Sequence, residues 1–174
     1  MRVLGPIDLD DALAAWALHE CRGRRRRRLP RDVREIIDGP DGRAAALRFI
    51  LATDIADEID AAEPLACFHV AITAADVPAI VTGCRHWLDE WARWLIDEPT
   101  PAGRWVRTLA ASTDPVAGPL LGITRESGRT ITLLDGNHRA AAWVVHGDRG
   151  RCYAMVLNLI ISRRECWWER SAVR

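Results

Sequence analysis

Lysine is absent from this sequence, and its absence removes several kinds of chemistry at once. All 24 basic residues among the 174 are arginine. A Schiff-base lysine, a lysine general base and the lysine of a phosphate-binding P-loop are therefore excluded. The arginines are balanced by 24 acidic residues, so no net charge of the whole molecule attracts nucleic acid or an anionic membrane surface. Any such binding must be local.

Paired cysteines and long apolar runs are missing as well. The five cysteines are Cys21, Cys67, Cys84, Cys152 and Cys166. Their odd number and the lack of a C-x-x-C pair predict neither a disulfide framework nor a zinc ribbon, and they favour a reducing compartment. No run approaches the ~18–20 apolar residues of a membrane span, and Asp8, Asp10 and Asp11 stand where a signal peptide has its apolar core. We therefore expect a cytoplasmic protein without a membrane partner.

Helical patterns fill the first sixty residues. Residues 8–20 combine acidic N-cap candidates with a loose apolar stripe, and residues 43–61 have apolar side chains on one helical face. A short helix is expected from Pro30 to about Gly39. These patterns predict a helical extension over residues 1–63.

The pattern changes after Pro64. Residues 65–72 form an apolar run of strand length, and Thr73 can cap a helix that continues to about Ile96, followed by a loop at 97–103. Two strands, 119–124 and 130–134, flank a turn of hairpin composition, and a helix at 138–146 and a strand at 152–161 follow. The predicted fold class is α+β, a small mixed sheet with packed helices over residues 64–162, followed by a C-terminal tail at 163–174.

One turn stands out chemically, Asp135-Gly136-Asn137-His138-Arg139, where a strand leads through a glycine into a helix of small side chains. The start of a helix carries partial positive charge, and glycine lets a ligand approach the backbone closely. His138 and Arg139 add hydrogen-bond donors, which makes phosphate the expected guest, and Asp135 can hold a magnesium ion against that phosphate or simply cap the helix. The alternative is an ordinary Asp-Gly turn followed by a first helical turn.

This turn and its surroundings resemble the ParB/sulfiredoxin superfamily. The resemblance covers about residues 65–161 and is strongest at 119–146, where Pro119 and the hairpin lead into the turn and into Ala140-Ala141-Ala142. It implies a small α+β fold in which a Gly-His-Arg or Gly-Arg-Arg turn at a helix N-terminus binds nucleotide phosphates.

The chain departs from two branches of that family. Sulfiredoxins have a catalytic cysteine directly before the His-Arg pair, where this sequence has Asn137, so sulfinic acid reduction is not expected. Chromosome-partition ParB proteins continue into a DNA-binding helix-turn-helix and a dimerisation domain, which we do not expect in the thirteen residues after Ile161. The closest pattern is that of ParB-like free serine kinases and related small ATPases, whose turn is Asp-Gly-His-His-Arg or similar.

The resemblance implies phosphoryl transfer of the kinase or ATPase type, with ATP or another nucleoside triphosphate and magnesium. Nucleotide binding is expected of Gly136, Asn137, His138 and Arg139, catalysis of Asp135, His138 and Arg139, and metal binding of Asp135. In such enzymes a separate carboxylate activates the acceptor hydroxyl. Its candidates by chain proximity are Glu90, Asp114, Glu126 and Asp148, each of which also fits a solvated surface position. The alternative function is a non-catalytic, nucleotide-gated module that binds nucleic acid or protein.

Eight arginines lie between Arg22 and Arg34, with Asp32 as one acidic residue among them. They could track nucleic-acid phosphates. We favour a solvated segment, because residues 1–63 contain thirteen acidic residues against eleven basic ones and no aromatic residue interleaves the arginines for base stacking.

Eight tryptophans are many for this length. Trp87, Trp91 and Trp94 fall on one face of the expected helix and favour core packing over a ligand-stacking wall. Trp143 is expected to bury its helix against the sheet, although it could border an adenine site. Trp167 and Trp168 suggest a partner surface or a homodimer if they are exposed.

The remaining cysteines and histidines favour structural roles. Cys84 and His86 are two residues apart on the expected helix, hence on different faces and unsuited to share zinc. Cys21 is expected to be an inert thiol and His69 a core or cleft residue. His146 is expected to complement the dipole at the end of its helix.

Overall fold

A computed structural model of the chain describes residues 1–22, 26–51, 59, 62–112, 120–126, 129–147 and 154–164. Predictions that concern other residues lie outside this part of the chain. They include Asp114 and Asp148, two candidates for the carboxylate that activates the acceptor, and the pair Trp167 and Trp168. They also include Pro119, which begins the segment of strongest family resemblance, and most of the tail at 163–174.

The described strands form one mixed sheet. They are β1 (Arg2–Ile7), β2 (Pro64–Ile72), β3 (Ile80–Thr82), β4 (Leu120–Arg125), β5 (Ile131–Asp135) and β6 (Met155–Ser162). Their spatial order is β1-β2-β6-β4-β5-β3, with β6 parallel to β4, β5 parallel to β3, and the other pairs antiparallel. The chain therefore has the mixed α+β architecture that the sequence predicts, including the antiparallel β4–β5 hairpin.

Helices cover both faces of this sheet. They are α1 (Leu9–Arg22), α2 (Arg31–Asp38), α3 (Gly42–Leu51), α4 (Leu88–Asp97), α5 (Pro101–Ala110) and α6 (Asn137–Gly147). Neighbouring strand residues face opposite layers: Leu120 packs in the core formed with α4, α5 and α6, whereas Leu121 packs in the core formed with α1. None of the described helices is long and apolar enough to cross a membrane.

The N-terminal segment differs from its predicted helical form. Residues 2–7 form strand β1, which pairs antiparallel with β2 at the sheet edge. The prediction that the first sixty residues are wholly helical is therefore wrong at this strand, because its conformation comes from pairing with residues far along the chain. The segment predicted as an extension also shares a core with the sheet, since Trp16 belongs to the same buried cluster as Leu121 and Ile160. The helices expected at 8–20 and 30–39 are confirmed as α1 and α2.

The single helix predicted from Thr73 to Ile96 is wrong. Thr73 does cap a helix, in a capping box with Asp76, but this is a short 3₁₀-helix over Ala74–Ala79. The β-branched run that follows forms β3 beside β5, and α4 begins only at Leu88. The loop predicted at 97–103 is also too long, because Pro101 starts α5 with Thr100 as its cap.

Candidate functional site

The turn that stands out in the sequence lies where β5 ends and α6 begins, and we call residues Asp135–Arg139 the β5–α6 junction. Gly136 connects the two elements with φ of 83°, in the left-handed region that favours glycine. A Cβ atom at this position would collide with the side chain of Leu120 in the neighbouring strand. The junction therefore requires glycine for two reasons, backbone conformation and space.

Asn137 ties the start of α6 to the loop after β3. Its side-chain oxygen accepts a hydrogen bond from the backbone N–H of Gly83, at 2.9 Å. The contact follows from the topology: β3 and β5 are parallel, so their carboxyl ends meet at one edge of the sheet. This use of the oxygen leaves the amide NH₂ as the part of Asn137 that can donate to an anion.

Asp135 and Arg139 form an ion pair across the junction. The distance between Oδ2 of Asp135 and Nη2 of Arg139 is 3.0 Å, and the two side chains are only 14% and 10% exposed, respectively. Because the residues are four apart, the pair links the last residue of the strand to the first turn of the helix. It holds one side of the guanidinium group at the positive end of α6.

His138 lies against the α4–α5 layer. Its ring centroid is 5.2 Å from that of Trp91 and 5.2 Å from that of Trp105, with tilted ring planes in both contacts. Trp91 is a core residue of α4, whereas Trp105 of α5 is half exposed. The imidazole of this junction residue thus contacts one indole from α4 and one from α5.

His19 of α1, in the other layer, lies close enough to the ion pair for both of its charges to affect the pKa of the imidazole. Burial lowers the pKa of His19 from its usual value, and the positive charge of Arg139 lowers it further, while Asp135 and Glu20 oppose that shift. The ion pair therefore interacts electrostatically with His19 of the α1 layer, whereas His138, a residue of the junction itself, contacts the α4–α5 layer. His19 was not among the residues predicted from the sequence, although its position three residues after the buried Trp16 puts it on the inward side of α1.

Asp135 fits a metal site only if phosphate oxygens and water supply the other ligands of the metal ion. Among the residues that the structure describes, no group of three or more His, Cys, Asp or Glu side chains is arranged to hold a metal ion. Magnesium commonly takes one or two carboxylates and completes its shell with phosphate oxygens and water. Asp135 could serve in that way, with its carboxylate also bound to Arg139.

The two described candidates for the carboxylate that activates the acceptor, Glu90 and Glu126, lie in different parts of the fold. Glu126 follows the carboxyl end of β4, which runs antiparallel to β5, so it lies at the opposite end of the hairpin from Asp135. Its exposed position there does not suit a role at the junction. Glu90 is exposed in the first turn of α4, next to Trp91. Of the two described candidates, it is the one whose helix packs against α6.

The other aromatic predictions have mixed outcomes. Trp91 is buried as expected, but Trp87 lies just before α4 and Trp94 is exposed, so the three do not share a core face. Trp143 is buried in the core that α6 shares with the sheet, which confirms its packing role. Trp105 was missed because its segment had no clear helical pattern.

The remaining cysteines and histidines mostly take structural positions. Cys21 is fully buried in the α1 core, as expected of an inert thiol. Cys84 and His86 lie in the loop between β3 and α4, not on a helix. His69 occupies β2 and is partly buried, and its Nδ1 has no hydrogen-bond partner among the residues that the structure describes. His146, in the last turn of α6, lies with Nδ1 2.9 Å from the carbonyl oxygen of Ala110.

Several arginines of the Arg22–Arg34 segment contact groups of the same segment or of α2. Arg26 makes two hydrogen bonds of 2.8 Å to the carboxylate of Asp38 and thereby lowers the pKa of that carboxyl group. Arg31 pairs with Glu35 at 3.0 Å, and Arg22 donates to the carbonyl of Ile37 at 3.2 Å. These contacts agree with a solvated, internally paired segment.

Comparison with known proteins adds no family assignment. No family model matches the chain, and neither a curated protein nor a solved structure matches it.

Proposed function

We propose that this chain is a nucleotide-binding protein of the ParB/sulfiredoxin-like type, with the phosphates bound at the β5–α6 junction. The observation that carries the proposal is the combination of Gly136 at positive φ with the nearly buried Arg139 at the start of α6. A helix N-terminus attracts anions, and a guanidinium group binds phosphate with charge-assisted hydrogen bonds.

Arg139 can serve both Asp135 and a phosphate. Its guanidinium has five N–H donors, and the contact with Asp135 uses Nη2. The carboxylate orients the group, and in the proposed complex a phosphate shares the guanidinium with that carboxylate. A phosphate bound there also offsets the positive charge that Arg139 exerts on His19.

The reaction that fits this arrangement is phosphoryl transfer from ATP or a related triphosphate, by a kinase or an ATPase. Magnesium, held by Asp135 and phosphate oxygens, would neutralise charge on the phosphates. Arg139, with the amide NH₂ of Asn137, stabilises negative charge on the transferred group, and His138 flanks it from the α4–α5 side. Glu90 is the described carboxylate to test as the group that orients an acceptor.

A non-catalytic module is the second candidate, and the position of Glu126 favours it. That residue lies at the far end of the hairpin, and Asp135 is engaged by Arg139, so neither of these two carboxylates is placed to act as a separate general base at the junction. Such a module would use the nucleotide as a conformational ligand while it binds nucleic acid or protein.

Calorimetric titration with ATP and magnesium tests the binding proposal, and release of ADP or phosphate separates enzyme from module. Arg139→Lys keeps the charge but loses the planar fork, so we expect weaker ATP binding with the fold retained. Arg129→Ala, on the exposed hairpin turn at the other end of β5, is the matched control and should bind normally. Wild-type protein that binds neither ATP nor inorganic tripolyphosphate would contradict the proposal.

A further inference from the structure

The ring of His138 contacts two indoles that differ in exposure. Trp91 is 8% exposed and belongs to the core. Trp105 is 50% exposed, although its ring contacts a residue only two positions after Gly136. An accessible indole therefore contacts the β5–α6 junction through His138.

Exposure alone does not distinguish Trp105, because Trp94 on α4 is exposed to 51%. The difference is the ring contact. Within the described part of the chain, Trp105 contacts His138 and Trp94 has no aromatic partner of this kind. An indole held in place by packing loses less conformational freedom when a ligand binds to it.

The arginines next to Trp105 on α5 are engaged elsewhere. Arg104 donates to the carbonyl of Pro99 at 3.0 Å, and Arg107 donates to the carbonyls of Ile96 and Glu98. Both guanidinium groups thus bind the connection between α4 and α5. These contacts direct the two charged groups towards that connection, which leaves the outer part of Trp105 accessible to a planar ring.

We infer that Trp105 binds the base of the nucleotide whose phosphates lie at the β5–α6 junction, by stacking on its exposed ring face. The inference rests on the proposed function. It makes Trp105 a ligand-binding residue and gives His138 a second role, that of fixing the position of the indole through their ring contact. Since every base has a π face, stacking of this kind tolerates different bases. We therefore expect ATP and GTP to bind with similar affinity.

The experiment compares ATP with inorganic tripolyphosphate, which has the phosphates but no base. Dissociation constants are measured with magnesium for the wild type, Trp105→Ala, Trp105→Phe and the equally exposed control Trp94→Ala. Stacking of one base on an aromatic side chain corresponds to roughly a 5- to 150-fold gain in affinity. We expect wild-type protein to favour ATP by that factor, and Trp105→Ala to lose the preference while it binds tripolyphosphate normally.

The controls separate this inference from the phosphate site. Trp105→Phe should recover part of the preference for ATP, and Trp94→Ala should keep all of it. Equal binding of ATP and tripolyphosphate by the wild type, or equal weakening of both by Trp105→Ala, overturns the stacking role and leaves the phosphate site standing. Binding of neither ligand by the wild type overturns the proposed function, and the base site with it.

Discussion

Asp135 and Arg139 form a nearly buried ion pair at 3.0 Å, which joins the last residue of β5 to the first turn of α6. The pair gives Arg139 a structural partner in addition to the phosphate that the sequence motif suggests. A bound phosphate must therefore share the guanidinium with the carboxylate. In the proposed site, Arg139 contributes both to stability and to phosphate binding, so the two effects need separate measurements.

Arg139→Ala should destabilise the protein. The substitution leaves the carboxylate of Asp135 without its partner in a poorly hydrated position. We expect a loss of about 3 kcal/mol in the free energy of unfolding, at the lower end of the range for a broken buried pair because both side chains keep some exposure. Denaturant unfolding followed by circular dichroism measures the loss, and Arg129→Ala should lose nothing measurable.

The double variant Asp135→Ala with Arg139→Ala identifies the cause of that loss. If the ion pair is responsible, the double variant is more stable than the sum of the two single losses implies, because no unpaired charge remains. Strictly additive losses would mean that the two side chains stabilise the junction independently.

Gly136→Ala should destabilise the junction through the backbone and through packing. A left-handed conformation costs an L-residue about 1–2 kcal/mol, and the new methyl group also meets Leu120. We expect a total loss above ~2 kcal/mol in the free energy of unfolding. Gly147→Ala, at the end of α6, is the control because a Cβ there meets no atom within 4 Å. Equal stability of the two variants would contradict the geometry of the junction.

The pKa of His19 should respond to changes in the charges of the junction. Arg139 lowers the pKa of His19 and Asp135 raises it, so Arg139→Lys should leave the pKa almost unchanged, whereas Asp135→Asn should lower it further. Addition of ATP should raise the pKa, since phosphate brings negative charge. Two-dimensional NMR of the histidine ring protons follows the titration, with His19→Gln to assign the signal. A His19 signal insensitive to Asp135→Asn would separate this residue from the site.

The same shift predicts how stability depends on pH. The pKa of His19 is lowered in the folded state from its ordinary value of 6.5, so the unfolded chain takes up the proton first as pH falls. This residue therefore reduces the free energy of unfolding as pH falls through about 6.5, and it has no such effect at higher pH. His19→Gln should lessen the dependence of stability on pH between about 7 and 5. An unchanged pH profile in this variant would argue against the shift.

Substitution of Arg26, Arg27 and Arg28 by Ser should not change the affinity of the protein for nucleic acid, which should be weak in both the variant and the wild type. Arg26 is already paired with Asp38, and acidic residues outnumber basic ones in residues 1–63. The measurement is the logarithm of the binding constant against the logarithm of salt concentration. A steep slope in the wild type that becomes shallower in the variant would instead assign phosphate contacts to these arginines.

Local patterns in the sequence were sufficient to predict the strand and the helix that form the junction. The β4–β5 hairpin was predicted from its turn composition, and α6 was predicted from the alanines after Gly136. These features depend on neighbouring residues, since a turn or a helix start is set by backbone preferences within a few positions. The ParB/sulfiredoxin-like type and the nucleotide remain proposals, because a short motif does not determine a ligand.

Only the tertiary structure decided which side chains surround that junction. β1 is a strand because β2 offers it hydrogen bonds, and Asn137 binds Gly83 because β3 lies beside β5. His19 and Trp105 reach the junction from opposite layers, on helices that are far from it in sequence. No local pattern encodes such neighbours, since they depend on strand order and on how each helix packs against the sheet.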